Sequence, residues 1–419
     1  MNALKLIINI LEYILAGYLG ITVIYNLIYA LAGLFKLRNR KAKENRLRKI
    51  AVLIPGYKED KVILQTAKVS LRQDYPKEKY EVIVIADSFS HETLQKLREM
   101  PIRVVEVIFE NSTKSKALNK TMSQIPNDYD IAVILDADNL MAADFLSKIN
   151  DGFNQGFRVI QGHRVAKNTD TSFAILDAIS EEINNHIFRK GHRVLGLSSA
   201  LIGSGMAFEY LFFKNMMADI KAIGGFDKEL ELKLLRDRQT IGYLENALVY
   251  DEKTQKADNF QRQRKRWLSA QFIYFSNYLG SGLKHLFLKG NIDFFDKVLQ
   301  LAFLPRVLLL GVLFLCSAVS IGANLLSLPF IESNFGTNWL FWTGLFIVTG
   351  LTLLLSTPRK FFSFRTLKAI SSLPRAFLLM FGSLFKLKGA NKKFIHTVHG
   401  DHPETEAPPP KNNGHQLKT

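Results

Sequence analysis

The chain of 419 residues contains a single cysteine, Cys316, which lies within an apolar run. One cysteine excludes an intrachain disulfide framework and a cysteine-based zinc site. The nine histidines show no spacing typical of metal ligands. No Gly-x-Gly-x-x-Gly sequence follows the first predicted strand, and no Gly-x-x-x-x-Gly-Lys-Ser/Thr sequence occurs. The chain therefore lacks the fingerprints of a dinucleotide-binding protein and of a P-loop ATPase.

Acidic residues are scarce relative to basic ones, 38 against 55, which leaves a net charge of +17. Such an excess is typical of proteins that meet nucleic acid, an anionic membrane surface or an anionic substrate. No helix-turn-helix, aromatic RNP pattern or zinc knuckle is visible, so nucleic acid is not an expected partner. Apolar residues make up 47% of the chain although 22% is charged, which indicates that the two kinds are segregated.

The first segregated stretch runs from Ile14 to Phe35 without a charged residue. Its length suits a helix that crosses a hydrocarbon core of about 30 Å. We assign residues 1–36 to an N-terminal transmembrane helix and 37–49 to a basic juxtamembrane linker. Positive charge favours the cytoplasmic side and anionic head groups. We therefore predict an integral protein of a bacterial inner membrane with a cytoplasmic catalytic domain and membrane lipids as partners.

Two further uncharged stretches, Val307–Ile331 and Phe335–Thr357, predict a transmembrane hairpin within residues 304–358. Residues 269–303 and 359–400 mix apolar and basic residues, which is typical of interfacial helices. A further crossing is the alternative for 367–388. The proline-containing tail, 401–419, reads as disordered.

Between these parts, residues 50–268 alternate apolar runs with mixed helical stretches. Strands are predicted at Lys49–Pro55, Tyr80–Ala86, Ile102–Ile108 and Ile131–Leu135, and helices at Lys61–Leu71, Glu92–Met100 and Ser115–Ser123. This alternation indicates an α/β fold, a mostly parallel sheet with helices on both faces. Ligands of such sheets bind beyond the carboxyl ends of the strands.

The acidic pair Asp136 and Asp138 follows the fourth predicted strand directly. Two carboxylates at a buried strand end are costly unless they reach a cation or water. Mg²⁺ or Mn²⁺ bound by one or two carboxylates and a substrate diphosphate satisfies them. A solvated turn is the alternative for this short motif. The pattern points to a nucleotide-phosphate or nucleotide-sugar site with Asp138 as first metal ligand and Asp136 as second.

Several short motifs occur in order between Lys49 and Trp267. They are Ile54-Pro55-Gly56-Tyr57-Lys58-Glu59, Asp87, Lys114-Ser115-Lys116-Ala117-Leu118-Asn119, Asp136-Ala137-Asp138, Gly203-Ser204-Gly205 and Gln263-Arg264-Lys265-Arg266-Trp267. Together they resemble family 2 glycosyltransferases, specifically the membrane-integrated branch with cellulose, chitin and hyaluronan synthases. The resemblance implies a GT-A fold, a UDP-sugar donor and inversion at the anomeric carbon.

The resemblance also implies roles for residues. Donor-binding residues would be Pro55, Tyr57, Glu59, Asp87, Lys114 and Asp136, with Asp87 on the uridine. The acceptor and lid residues would be Gly203, Ser204, Gly205, Gln263, Arg266 and Trp267. Alternatives from the local sequence are a helix cap for Asp87, a solvated helix start for Lys114, and a basic membrane-surface helix around Arg266.

The catalytic base of the family usually lies in a Thr-Glu-Asp segment, and this segment departs from that pattern. Glu229 stands where the aspartate is expected and Lys228 replaces the acid before it. The candidates for the base are therefore Glu229 and Glu231, with Asp227 third. A solvated helix face is the alternative for Glu229, because Lys233 and Asp237 share its stripe.

The sequence thus predicts a metal-dependent transferase that extends a polysaccharide from a UDP-sugar. A non-processive transferase to a lipid-linked acceptor is the alternative, because three crossings offer few helices to line a pore. A homo-oligomer or accessory membrane subunits would supply more. A non-catalytic membrane subunit of the same fold is the third hypothesis, motivated by the altered acidic segment.

Overall fold

The computed structural model describes residues 3–38, 40–220, 225–253, 257–326 and 338–384. Its strands are β1 (Ile50–Tyr57), β2 (Tyr80–Asp87), β3 (Arg103–Val107), β4 (Ile131–Ile134), β5 (Leu140–Met141), β6 (Val159–Ala166), β7 (Met206–Glu209) and β8 (Ile241–Asp251). The predicted tail, 401–419, and the segment 385–400 lie outside the described residues.

The helices of the sheet domain are α2 (Ile63–Ser70), α3 (His91–Arg98), α4 (Lys114–Gln124), α5 (Phe145–Asn154), α6 (Ser172–Asn184), α7 (His192–Val194), α8 (Tyr210–Ala218) and α9 (Phe226–Arg236). The others are α1 (Ala3–Gly33), α10 (Ala257–Lys289), α11 (Ile292–Gln300), α12 (Arg306–Leu325), α13 (Trp339–Leu355), α14 (Phe364–Ile370) and α15 (Leu373–Leu384). Short 3-10 turns occupy Lys77–Lys79 and Arg359–Phe361, and a π-helical segment, Asn185–Gly191, joins α6 to α7.

One eight-stranded sheet has the order β3-β2-β1-β4-β7-β6-β8-β5. Strands β3, β2, β1 and β4 run parallel, as does the pair β6 and β8. Strand β7 runs antiparallel to both β4 and β6, and β5 is antiparallel to β8. The fold is therefore α/β as predicted. In the parallel half of the sheet, the observed strands begin and end within one or two residues of the predicted strands.

Alternate side chains of the central strands enter two different cores. In β1, Leu53 faces a core that includes Leu118 of α4 and Phe208 of β7. Its neighbour Val52 faces the core of the opposite side, which includes Ile63 of α2. Because successive side chains of a strand point to opposite faces, a strand covered on both sides must be apolar throughout. This is why β1 and β4 appear in the sequence as continuous apolar runs.

Within the described ranges, three helical stretches have the length and hydropathy of membrane spans: Lys5–Gly33, Arg306–Leu325 and Phe364–Leu384, the last of which comprises α14 and α15. The 17-residue helix α13 is apolar but shorter. Helices α1, α12 and α13 pack through Leu19, Leu313 and Trp342. The stretch that we predicted to lie in the interface therefore has the length of a crossing, while the second half of the predicted hairpin is short.

The C-terminal end of α1 docks on the π-helical segment of the sheet domain. A Cβ on Gly191 would lie 2.2 Å from the carbonyl oxygen of Tyr29, so only glycine permits this approach. The His186 Nε2 atom lies 2.8 Å from the carbonyl oxygen of Ala30. The predicted domain boundary at 268/269 falls inside α10, a continuous helix of 33 residues. The sheet domain and the predicted interfacial segment are therefore joined by one helix.

Candidate functional site

The carboxyl ends of three adjacent parallel strands bring the predicted donor-binding residues together. Tyr57 at the end of β1 pairs in register with Asp87 at the end of β2. Strand β4 lies on the other side of β1 and leads directly into Asp136. Pro55 lies two residues before the end of β1, and Glu59 lies two residues after it. These residues share one sheet edge because parallel strands end on the same side.

Asp87 is buried, with 3% of its surface exposed. Its Oδ1 atom accepts a hydrogen bond from the Ser88 hydroxyl at 3.0 Å, and its carbonyl oxygen accepts from Lys58 N at 3.0 Å. The following helix, α3, is capped by Ser90, whose hydroxyl accepts from Thr93 N. Asp87 is therefore not the cap of α3, and its carboxylate is held at the sheet edge.

A fixed loop carries the acidic pair. Asp136 N donates to the Ser204 hydroxyl at 2.9 Å, and that hydroxyl donates to Asn139 Oδ1 at 2.5 Å. The Asn139 amide donates in turn to Asp138 Oδ1 at 3.1 Å and to Asp251 Oδ1 at 2.9 Å. Ser204 and Asn139 are fully buried, so the backbone position of the pair is set by side chains that cannot rearrange in solvent.

Lys114 stands opposite the acidic pair. It is the first residue of α4, and its Nζ atom contacts the Asp136 carboxylate and donates to the carbonyl oxygen of Gly203 at 2.7 Å. Its side chain is 21% exposed and that of Asp136 is 34% exposed. A partly open ammonium beside a partly open carboxylate suits a ligand that carries phosphate, for which lysine acts as a point charge.

The segment Gly203-Ser204-Gly205 crosses the same edge in a conformation that requires glycine. Gly203 and Gly205 have φ of +83° and +62°. The Gln161 side chain fixes the loop, since its amide donates to the Ser204 carbonyl at 3.0 Å and its oxygen accepts from Ile202 N at 3.1 Å. A Cβ on Gly203 would lie 3.7 Å from Cγ of Asp227. Gly203 therefore lies beside Asp227, and its positive φ rather than a lack of space requires glycine.

Asp227 is the acid of α9 that faces this loop. Burial raises the pKa of the Asp227 carboxyl above its ordinary value, and the nearby Lys228 and Lys114 oppose that rise. The pKa of such a carboxyl is shifted toward the range in which it can accept a proton in a reaction near neutral pH. Because the charge of Lys114 acts on the pKa of Asp227, Lys114 lies near Asp227 as well as Asp136.

The two glutamates that we first considered as the base have other partners. The Glu229 carboxylate lies 3.0 Å from Lys233 Nζ, an i,i+4 ion pair on the far side of the helix from Asp227. Glu231 is 1% exposed and accepts hydrogen bonds from Leu201 N at 3.2 Å and from Lys297 Nζ at 2.7 Å. Asp227, the third candidate, is the acid of α9 that approaches Gly203.

Helix α10 brings the Gln-x-x-Arg-Trp segment toward α9. Ala270 lies 3.7 Å from the position of a Cβ on Gly225, two residues before Asp227. Arg266 precedes Ala270 by four residues and shares its helix face, and burial lowers the pKa of Arg266. Trp267 is 45% exposed, with the Arg264 guanidinium 4.5 Å from its ring centroid. The Oε1 atom of Gln263 is buried and has no hydrogen-bond partner within the described ranges.

A buried ionic cluster that the sequence did not predict lies behind the acidic pair. Asp251, the partner of Asn139, lies 2.6 Å from Lys253 Nζ and 3.7 Å from Arg164. Arg164 also binds Glu181 at 2.9 Å, and Glu181 binds Arg189 at 3.1 Å. Three cations face two anions, so one positive charge remains behind the acidic pair. Its members come from β6, α6, the π-helical segment and the end of β8, which no local spacing reveals.

The donor set of the acidic pair fits a hard divalent cation. Asp136 and Asp138 offer carboxylate oxygens, the ligands that Mg²⁺ and Mn²⁺ prefer. The side chain of Asp136 is 34% exposed, whereas Asp138 is buried, with 6% of its surface exposed. No group of three or more histidine, cysteine, aspartate or glutamate residues that could hold a metal occurs among the described residues.

The strand ends of one α/β sheet thus bring together an acidic pair, a facing lysine and a buried aspartate. The profile of glycosyltransferase-like family 2 matches residues 48–270, more than half of the chain. The chain therefore belongs to glycosyltransferase-like family 2, which confirms the predicted family and enzyme class.

Relatives with curated names cover part of the chain. The probable glycosyltransferase YdaM of Bacillus subtilis is 28% identical over 284 residues, which is 62% of this chain and 65% of that protein. The beta-monoglucosyldiacylglycerol synthase of Trichormus variabilis is 25% identical over 283 residues, which is 64% of this chain and 58% of that protein. The matches thus span less than two thirds of each relative.

Among solved structures, the chain is similar to a mannosyltransferase of Pyrobaculum calidifontis in complex with GDP-mannose and Mn²⁺. The identity is 16% and the TM-score is 0.46, with 81% of this chain and 97% of that chain covered. The first 349 residues of TarS from Staphylococcus aureus give a TM-score of 0.42 at 15% identity, with 81% of this chain and 92% of that chain covered.

Proposed function

We propose that the protein transfers a sugar from a UDP-sugar, with inversion, to an acceptor at the membrane surface. The observation that carries this proposal is the approach of Asp227 to Gly203 and to the Lys114–Asp136 pair in one cleft. A cleft of this kind holds a proton acceptor beside a site for a diphosphate. Asp87, buried at the neighbouring strand end, is the proposed contact of the uridine.

The transfer breaks the bond between the anomeric carbon and the diphosphate oxygen while a bond to the acceptor oxygen forms on the opposite face. In our proposal, Asp227 takes the proton of the acceptor hydroxyl and UDP leaves with the electron pair of the broken bond. General base catalysis of this kind typically contributes about 10²–10⁴-fold. Lys114 and Arg266 hold the diphosphate. A divalent cation held by Asp138 and Asp136 would neutralise charge on the leaving group.

For the acceptor we propose a membrane lipid. Helices α1, α12 and α13 pack through apolar side chains, and a cavity between them has a volume of about 10 Å³, the space of about one water molecule. Apolar packing of this kind does not favour a path for a sugar chain between these helices. The name of the synthase from Trichormus variabilis, which specifies a glucosyl lipid, supports the same acceptor class.

A growing polysaccharide is the second candidate acceptor. The segment from Gln263 to Trp267 favours it, because this pattern is typical of processive members of the family that the sequence resembles. Several copies of the chain, or accessory subunits, would then have to provide the path through the membrane. The length of the product distinguishes this acceptor from a lipid that receives one sugar.

The test is a screen of UDP-sugars with the purified, detergent-solubilised protein, lipid extracts and Mn²⁺ or Mg²⁺. We expect metal-dependent release of UDP and a lipid that gains one sugar, measured by mass spectrometry. A polymer of many sugars would select the second acceptor. If no UDP-sugar is consumed and no metal-dependent binding of UDP occurs, the proposal fails and the reading as a non-catalytic subunit replaces it.

A further inference from the structure

Helix α11 lies between the membrane helix α1 and the helix α9 that carries Asp227. Asn291 caps its start, and its two consecutive charged residues, Asp296 and Lys297, are 7% and 5% exposed. Buried charges are costly unless they are paired. Consecutive residues of a helix point in directions about 100° apart, so the two charges can bind partners on two different neighbours.

Asp296 binds the C-terminal part of α1. Its Oδ1 atom accepts hydrogen bonds from the Tyr25 hydroxyl at 2.7 Å and the Tyr29 hydroxyl at 3.2 Å. His192 Nε2 lies 3.2 Å from the other oxygen, and the His192 ring stacks on Tyr29 with centroids 3.7 Å apart. Gln300 also donates to that oxygen at 2.8 Å. Asp296 thereby fixes α11 relative to the membrane helix.

Lys297 binds Glu231 of α9, the helix that carries Asp227. Its Nζ atom lies 2.7 Å from Glu231 Oε1, and Lys228 Nζ lies 3.4 Å from Glu231 Oε2. Glu231 follows Asp227 by four residues and so shares its helix face. The same Oε1 atom of Glu231 accepts from Leu201 N, two residues before Gly203. One carboxylate therefore holds both the helix of Asp227 and the loop that Asp227 faces.

We propose that Glu231 and Lys297 are positioning residues for the transfer step, and that α11 ties their geometry to the membrane helix through Asp296. The inference rests on the proposed role of Asp227 as the base. Its physical basis is that general base catalysis demands a carboxylate within hydrogen-bond reach of the acceptor hydroxyl. Displacement of a reacting group by 1 Å can cost about 10²-fold in rate.

A purely structural role is the competing explanation, because loss of one partner of a buried ion pair destabilises a fold. The two explanations differ in the kinetic parameter that changes. A positioning role lowers kcat per folded molecule and leaves UDP affinity intact, since Asp87, Lys114 and Asp136 belong to other elements. A structural role lowers the folded fraction and leaves kcat of the remaining folded molecules unchanged.

Lys297→Met is the first variant, with kcat normalised to folded protein and UDP affinity measured by calorimetry with Mn²⁺. We expect kcat to fall by about 10–100-fold while the Kd of UDP changes less than about threefold. Lys96→Met is the matched control, since it breaks an exposed lysine–glutamate pair with Glu92. If Lys297→Met does not fold, the same measurements are made on Lys297→Arg and on the double variant Glu231→Gln with Lys297→Met.

A pH profile provides a readout that a structural role would not move. Burial lowers the pKa of the Lys297 ammonium to about 8, although Glu231 opposes this shift. The charged groups that face it are Glu231 and Lys228 from α9 and Asp296 from its own helix. Activity of the wild type should fall as pH rises through 8, and in Lys297→Arg the alkaline limb should move to higher pH.

The link to the membrane helix is tested by the double variant Tyr25→Phe with Tyr29→Phe, which removes two hydroxyls from Asp296. We expect a lower kcat with unchanged Kd of UDP. An unchanged kcat in both Lys297→Met and the tyrosine variant would overturn the inference. The variant Asp227→Asn separates the proposed base from the proposed positioning residues. If Asp227→Asn keeps full activity, Asp227 is not the base, and this holds for any result with the Lys297 variants.

Discussion

Replacement of Asp227 by asparagine should abolish most turnover and yet stabilise the fold. Asparagine keeps the shape of aspartate but accepts no proton, so the acceptor hydroxyl loses its base. The expected loss in kcat is about 10²–10⁴-fold, or about 3–5 kcal/mol in the barrier. UDP should still bind, because Asp87, Lys114 and Asp136 are unchanged.

The stability change follows from the direction of the pKa shift. The pKa of Asp227 is raised in the folded state, chiefly by burial, so the charged form is less favourable there than in the unfolded chain. At neutral pH the wild type carries this cost and the asparagine variant does not. Below the ordinary pKa of aspartate both states of the wild type are protonated, so the advantage of the variant disappears.

The assay combines UDP release, UDP calorimetry and thermal unfolding in detergent between pH 4 and pH 8. Glu229→Gln is the matched control, because Glu229 binds Lys233 rather than facing the cleft. Its turnover should stay within a few-fold of the wild type. Turnover within about threefold of the wild type in Asp227→Asn, or a larger loss in Glu229→Gln, would refute the assignment of the base.

Three further predictions concern the loops and the charges around the site. Asp138→Asn should abolish turnover and metal-dependent UDP binding, measured by calorimetry with and without Mn²⁺. Its circular dichroism spectrum should stay that of the folded protein. Unchanged activity would remove Asp138 as a metal ligand. Gly203→Ala and Gly196→Ala should each cost about 1–2 kcal/mol of backbone strain, because both glycines have positive φ, 83° and 90°. Only Gly203→Ala should lower kcat, since the strain at Gly203 acts on the loop beside Asp227 while a Cβ on Gly196 meets nothing within 4 Å. Equal kinetics in the two variants would contradict this. Lys253→Met should destabilise the fold by about 3–5 kcal/mol in thermal or denaturant unfolding, because it removes the cation 2.6 Å from the buried Asp251, whose other cation, Arg164, lies at 3.7 Å. A stability equal to the wild type would show that the ionic cluster contributes little.

Local patterns predicted the half of the sheet that carries the donor side of the site. The apolar run at Ile131 predicted a strand to Leu135, and β4 spans Ile131–Ile134. The run at Tyr80 predicted a strand to Ala86, and β2 ends at Asp87. Strands buried on both faces are apolar throughout, so they can be recognised without knowledge of their neighbours. Parallel pairing then placed Asp87 and Asp136 at one edge.

The same local reasoning could not order the acids of α9. Alignment of a shortened segment with the family pattern put Glu229 first, but the structure directs Glu229 to Lys233 and Asp227 to Gly203. Which face of a helix meets a cleft depends on how that helix packs against elements far away in sequence. Here the packing of α9 depends on α10 and α11, which contact Gly225 and Glu231.

Local patterns thus predicted the α/β class, the apolar helices and the acidic strand ends, because periodicity and burial leave a signal within about ten consecutive residues. The approach of Asp227 to the loop of Gly203, of Asn139 to Asp251 and of Lys297 to Glu231 follows from long-range packing. The two residues of each pair lie 24, 112 and 66 positions apart in the chain. Their partners are chosen by the packing of whole elements, and no spacing within a segment encodes that choice.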